Sequence, residues 1–295
     1  MTVSVLSGNI GTSASVQSAD ASSRGLSASL WRNSSIYLAN DPSRGIYVFE
    51  DFKNMQRQAN ADATVTPQYQ GDAGQYVVYL DSGASVAQVS GDFGICRMAT
   101  DTTNEDECNL VFGSQTCVLG RISDTAGQKS TTIFETRIRT NSIVDGVAGL
   151  KIGLLDAGQG EAADELTDTS ADLVAARDFI GFSADEDDGD QLDTMYQVTS
   201  GTNTTPGTDV VSGGLVADTW IKLGFAYFPD HSDGGRVVFS VDGTILADVV
   251  TTPFAATFPN GVYLRPVWSI RNDAGGAAKQ LDIDWWAFYQ SGELS

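Results

Sequence analysis

Two-residue alternation in the last third of the chain restricts the possible folds more than any other feature of this sequence. In Trp220-Ile-Lys-Leu-Gly-Phe-Ala-Tyr227, the residues Ile221, Leu223, Phe225 and Tyr227 fall on one face. A loop containing Asp233-Gly-Gly235 follows, and then Val237, Phe239 and Val241 alternate in the same way towards Asp242-Gly243. Strand side chains point to opposite faces with a period of two, so this pattern predicts half-buried strands and not helices. Asp-Gly is a preferred pair for a two-residue hairpin, because its residues tolerate positive φ. The chain from Ile245 onward is the expected partner strand.

The same reading extends over most of the sequence. Gly45 to Phe52, Tyr76 to Leu80, Leu150 to Leu155, Phe179 to Phe182 and Thr194 to Val198 are short apolar or β-branched runs bounded by turn residues. In Thr131 to Arg139, Phe134, Thr136 and Ile138 share one face while Ile133, Glu135, Arg137 and Arg139 share the other, which predicts a half-exposed antiparallel strand. In the final strand, unbroken alternation would set Asp282, Asp284, Trp286 and Phe288 against Leu281, Ile283, Trp285 and Ala287. Only Ser170 to Arg177 reads as helical, with Thr169 or Ser170 as its cap. The 31 glycines and 7 prolines agree with a turn-rich sheet protein. The expected fold class is all-β, a two-sheet antiparallel sandwich over residues 45–295. Residues 1–44 are expected to form an extended N-terminal arm. The Ser/Ala/Gly-rich composition of its first thirty residues alone would leave it disordered, so order there requires a surface to lie on, either its own domain or a neighbouring chain. Whether residues 85–130, with the three cysteines Cys96, Cys108 and Cys117, form an insertion stays open.

Charge narrows the partners. There are 38 acidic and 17 basic residues, a formal net charge of -21. No Lys/Arg cluster is present to displace counterions from phosphates, so neither nucleic acid nor an anionic membrane is an expected partner. No apolar run reaches the length of a membrane span. Met1 to Ser23 lacks both a basic and a continuous apolar region, so no secretory signal is expected and the thiols are expected to be reduced. A Cys108–Cys117 staple is the alternative.

Catalytic patterns are sparse. A glycosidase needs two carboxylates flanking the scissile bond. The nearest arrangement is Asp282 and Asp284, two apart on a strand, whose simpler reading is a solvated outer face. His231 is the single histidine and lies in a polar loop with no Gly-x-Ser-x-Gly elbow in the chain. The run Asp185-Glu-Asp-Asp-Gly-Asp190 offers Asp185, Asp187, Asp188 and Asp190 as calcium ligands, although its spacing is not that of an EF-hand and a solvated acidic loop is the other reading. Trp285 and Trp286 lie on opposite faces of one strand. One of them fills the core, and Trp286 is the candidate for stacking against a ligand. No cofactor other than that calcium is expected.

The order Trp220-Ile-Lys-Leu, Val237-Val-Phe-Ser-Val-Asp-Gly243, Leu281-Asp-Ile-Asp-Trp-Trp-Ala-Phe288 resembles the concanavalin A-like, laminin-G-like jelly roll, over roughly residues 45–290. That resemblance implies that the terminal strand returns beside one near the N-terminus, a role open to Tyr47 to Phe52. In general character the chain also resembles structural proteins of tailed bacteriophages. This second resemblance implies a non-enzymatic capsid decoration protein located in the virion. It would bind the major capsid protein or another virion protein, as a homo-oligomer and by analogy a trimer. The alternative is a carbohydrate-binding, lectin-like module, for instance on a fibre, with a glycoside hydrolase third.

Overall fold

The computed structural model describes residues 24–31, 34, 45–57, 68–89, 94–113, 120–121, 130–141, 148–156, 177–184, 191–198, 204–211, 214–229, 235–250, 258–259, 262–272 and 277–291. The fold is all-β, built as two antiparallel sheets packed face to face. The smaller, eight-stranded sheet runs in the order β16 (Thr244–Val250), β15 (Arg236–Val241), β14 (Ile221–Phe228), β9 (Thr132–Thr140), β18 (Gln280–Ser291), β6 (Ile95–Ala99) and β5 (Ser85–Val89). Its eighth strand, β1 (Gly45–Glu50), pairs with the far half of β18. The larger, ten-stranded sheet runs β13 (Thr204–Gly207), β12 (Asp193–Gln197), β11 (Phe179–Ala184), β10 (Ala148–Asp156), β17 (Tyr263–Asn272), β7 (Asp106–Phe112), β4 (Gln75–Leu80), β3 (Gln68–Gln70) and β2 (Gln56–Arg57). A short β8 (Gly120–Arg121) pairs with β17. The terminal strand does return beside the N-terminal one, with Tyr47 opposite Tyr289 and Val48 opposite Phe288. The hairpin between β15 and β16 turns at Asp242 (φ 49) and Gly243 (φ 77), both in the left-handed region that an Asp-Gly pair tolerates. Residues 85–130 are no insertion in their described parts, since β7 lies inside the larger sheet and β5 and β6 complete the smaller one.

Apolar side chains from both sheets fill the space between them. Trp268 of β17 and Trp286 of β18 meet there with ring centroids 5.7 Å apart, and Phe112 approaches Trp286 edge-on at 4.7 Å. Phe134, Phe225, Phe239, Phe182, Ile152 and Ile283 belong to the same cluster. Cys96 and Cys108 are buried free thiols, so Cys108 takes no part in a staple, and Cys117 lies outside the described residues.

The alternation expected along β18 breaks once. Ile283 pairs with Ile138 and Trp285 with Arg137, leaving Asp284 as the extra residue of a β-bulge. Leu281 and Ile283 therefore face the core before the bulge, and Trp286 and Phe288 face it afterwards. Asp282, Trp285, Ala287 and Tyr289 are left on the outer side.

That outer side is covered, and not solvated as the alternation predicts. Part of the arm forms a single helical turn, α1 (Ala28–Trp31), in place of an extended segment. Leu30 and Trp31 pack onto Ile133, Ala226, Val238, Trp285, Ala287 and Tyr289. Gly224 of β14 makes the room, because a Cβ there would lie 2.7 Å from Leu30 Cδ2. The backbone N–H of Ser27 and the Trp31 indole Nε1–H both donate to Glu135 Oε2, at 3.0 and 2.6 Å. Burial raises the Glu135 pKa, and these donors together with nearby Lys222 oppose the rise. The described arm residues thus lie on their own sandwich.

Beside this cover, four arginines meet two aspartates. Asp284 accepts from Arg137 Nη1 at 2.6 Å and from Arg24 Nε at 2.9 Å. Asp282 accepts from both Arg97 (2.7 and 2.8 Å) and Arg139 (2.9 and 2.8 Å). Arg137 and Arg139 also stack on the Trp220 ring, at 4.7 and 4.6 Å. Removing one partner of a buried pair strands the other charge and costs about 3–5 kcal/mol, whereas an exposed pair contributes about 0–1 kcal/mol. The Asp284 side chain is 1% exposed and that of Arg24 is 38% exposed. Urea denaturation is therefore expected to show a large loss of stability for Asp284→Ala and a small one for Arg24→Ala. Equal losses would refute this account of the outer face.

Candidate functional site

The residues singled out from the sequence do not assemble into one site. Trp286 is 0% exposed and its indole Nε1–H donates to Tyr76 Oη at 2.8 Å, so it is a core residue with no surface for a ligand. The expectation failed because the bulge at Asp284 reverses which tryptophan faces in. Trp285 is buried too, stacked on Phe49 with centroids 6.1 Å apart. Asp282 and Asp284, expected on a solvated face, are held by arginines. The calcium candidates Asp185, Asp187, Asp188 and Asp190 lie outside the described residues, as do His231 and most of the expected 170–177 helix.

Other carboxylates gather in two places. Glu50, Asp51 and Asp72 bring one oxygen each to within 4.8 Å of one another. Each is already engaged. Glu50 accepts from the N–H groups of Phe52 and Ala73 (both 2.8 Å), Asp51 pairs with Lys53 at 2.6 Å, and Asp72 accepts from Asn54 at 3.0 Å. The second group surrounds Asp106, which is buried and accepts from the Asp101 N–H. Burial pushes the Asp106 carboxyl up to about 6, with the charges of Asp101 and Asp81 adding to the rise.

The outer face of the ten-stranded sheet is organised differently. Cross-strand register places Tyr79 opposite Asn109, Asn109 opposite Ser269, Ser269 opposite Lys151, Lys151 opposite Ser183, and Ser183 opposite Asp193. These six polar side chains form one straight row across β4, β7, β17, β10, β11 and β12. Lys151 Nζ donates to Ser183 Oγ and lies 3.3 Å from Met195 Sδ, and Asn109 Nδ2 donates to Glu107 Oε1 at 2.6 Å. An apolar row runs alongside through Val77, Val111, Val267 and Met195. It is interrupted at Gly153 and Gly181, which face each other. A Cβ at Gly153 would lie 2.2 Å from the Ile180 carbonyl oxygen, so only glycine fits there. The two backbones are in close approach there, and the polar row beside them is buried, with Asn109 at 0% and Lys151 at 1% exposed. Tyr263, on the same face of β17, is 54% exposed and stands at the rim. It is six residues from Ser269, or about 20 Å along the strand. The signal for this row was present in Leu150-Lys-Ile-Gly-Leu155 and Phe179-Ile-Gly-Phe-Ser183, where Lys, Gly and Ser take the alternate positions.

No protein-family model matches the sequence, and no curated protein matches it. Solved structures resemble its shape. The carbohydrate recognition domain of Emp47p gives a TM-score of 0.49 at 13% identity, over 86% of this chain and 99% of that one. Peanut lectin gives 0.47 at 16%, over 75% and 99%. An endo-β-1,4-glucuronan lyase from the fungus Trichoderma reesei gives 0.45 at 11%, over 83% and 94%. These are likenesses of shape, and what those proteins bind or cleave remains theirs.

The Asp106 environment yields a pH test with a definite sign. Its folded-state pKa of about 6 lies above the ordinary 3.8. Between those values the folded state holds more protons than the unfolded state, so this group's contribution to stability falls as pH rises through the interval and is level above it. Asp106→Asn removes that contribution. Unfolding free energies measured from pH 4.5 to 7 are expected to move in the variant's favour relative to wild type as pH rises. Parallel curves would show that Asp106 is an ordinary carboxylate.

Proposed function

We propose that the chain is a non-catalytic carbohydrate-binding module whose ligand lies against Tyr263, at the rim of the outer face of the ten-stranded sheet. The exposure of this aromatic ring, 54%, carries the reading. The polar row is buried from Tyr79 to Ser183, so it ties together the strands that present the ring and does not itself meet a ligand. Tyr263 supplies a flat apolar surface of the kind on which a pyranose ring lies. The absence of catalysis is part of the proposal. The adjacent aspartates best spaced for acid–base work, Asp282 and Asp284, belong to the other sheet and are committed to arginines.

A second reading, a virion structural protein decorating a capsid, is favoured by an exposed apolar strand at the edge of the smaller sheet, with Ile46, Tyr47 and Phe49 between 42% and 44% exposed. Against it stands the arm, whose described residues pack on their own sandwich and need no neighbouring chain for their order.

A glycan array followed by calorimetry on the best ligand separates the two. Tyr263→Ala is expected to weaken that ligand at least tenfold with an unchanged melting temperature. If no glycan binds, or if that substitution does not matter, the carbohydrate reading fails. Co-sedimentation with phage capsids would then support the second.

A further inference from the structure

Strand β1 is an edge without the protection that sheet edges normally carry. Proteins blunt such edges with lysine, proline or bulges, because unpaired backbone groups invite another strand. Gly45-Ile-Tyr-Val-Phe-Glu50 has no lysine or proline, and its pairing with β18 runs in unbroken register from Gly45 to Glu50. Among the described residues, β18 is the sole strand paired with β1. Three of its six residues carry large, apolar side chains open to solvent: Ile46 at 44%, Tyr47 at 43% and Phe49 at 42%. Two of them rest on anchored rings, Tyr47 edge-on to Trp31 at 6.0 Å and Phe49 stacked on Trp285. The strand is therefore held in place as well as exposed.

Its C-terminal end is acidic. Glu50, Asp51 and Asp72 crowd their oxygens within 4.8 Å, with Lys53 as a counter-charge on Asp51. Glu50 is buried and its oxygens accept from two backbone N–H groups, and Lys53 balances Asp51, so the exposed Asp72 carries the surplus negative charge at that end of the strand. The whole chain carries -21, so a second copy would bring like charge to the same edge. A cationic partner meets complementary charge there.

We propose that β1 is a docking edge for an extended segment of another protein, apolar at alternate positions and bearing a lysine or arginine beside Asp72. The segment adds as a further strand of the smaller sheet. Main-chain hydrogen bonds supply affinity, and contacts of alternate side chains with Ile46, Tyr47 and Phe49 supply selectivity. This edge belongs to the opposite sheet from the glycan face, so either proposal can fail without the other.

The test uses the full chain and fluorescein-labelled synthetic peptides of eight residues, alternating valine and threonine. Two carry a lysine pair, one at each end, and two matching peptides carry a glutamate pair. Fluorescence anisotropy is expected to show one lysine peptide binding at least tenfold more tightly than its glutamate counterpart. Ile46→Lys, and independently Phe49→Lys, should each weaken that peptide at least tenfold, and Asp72→Asn should at least halve the preference for lysine over glutamate. Both lysine substitutions fall on exposed side chains, and unchanged melting temperatures confirm that the fold is intact. The proposal is overturned if no peptide binds, if glutamate peptides bind as well as lysine peptides, or if both edge variants bind normally. It is equally overturned if light scattering finds a concentration-dependent dimer of the wild type that Ile46→Lys abolishes, since the occupant is then a second copy.

Discussion

Two buried aspartates on one strand set the arrangement of the smaller sheet. Asp282 and Asp284 are buried beside the cover formed by Leu30 and Trp31, and a buried carboxylate needs partners, because transferring a lone one out of water costs far more than a small domain's net stability. Four guanidinium groups supply those partners, two to each carboxylate. The bulge at Asp284 inserts the second aspartate without displacing the core pattern on either side of it. Once β18 is fixed in this way, Trp286 is committed to the interior, and Trp285 to the outer side with Phe49 against it. Arg24, bound to Asp284, ties the arm to the same strand.

The architecture was legible where one physical rule acted alone. Period-two runs such as Ile221 to Tyr227 and the Asp242-Gly243 turn follow from local geometry and a single buried face, whereas the return of β18 beside β1 was implied by the resemblance to the concanavalin A-like jelly roll. Legibility ended where long-range packing overrode local pattern. Thr131 to Arg139 reads as a half-exposed strand because Glu135 and Arg137 are charged, but both are buried, Glu135 against the arm about one hundred residues earlier and Arg137 against Asp284 and Trp220, and nothing local in the strand announces those partners. The Trp-Trp pair in β18 cannot reveal which ring faces inward, because a single inserted residue reverses the answer. The polar row on the larger sheet was hidden for another reason. Each strand contributes one unremarkable polar residue to it, and only the register of six strands aligns them.

The two outer faces of the sandwich thus solve opposite problems. On the smaller sheet, charged residues are neutralised internally and the arm covers part of the face, while β1 leaves large apolar side chains open. On the larger sheet, polar groups line up in one row across six strands, buried from Tyr79 to Ser183, beside the close approach of Gly153 and Gly181. Sandwich stability comes from the Trp268–Trp286 interior, and neither outer face contributes to that contact.

The position of the arm also gives the molecule a front and a back. Arg24 and Ser291 both belong to the smaller sheet's side, the first bound to Asp284 and the second paired with Gly45. The described arm and the last described residue of β18 therefore share one side of the sandwich, and the outer face of the ten-stranded sheet lies on the other.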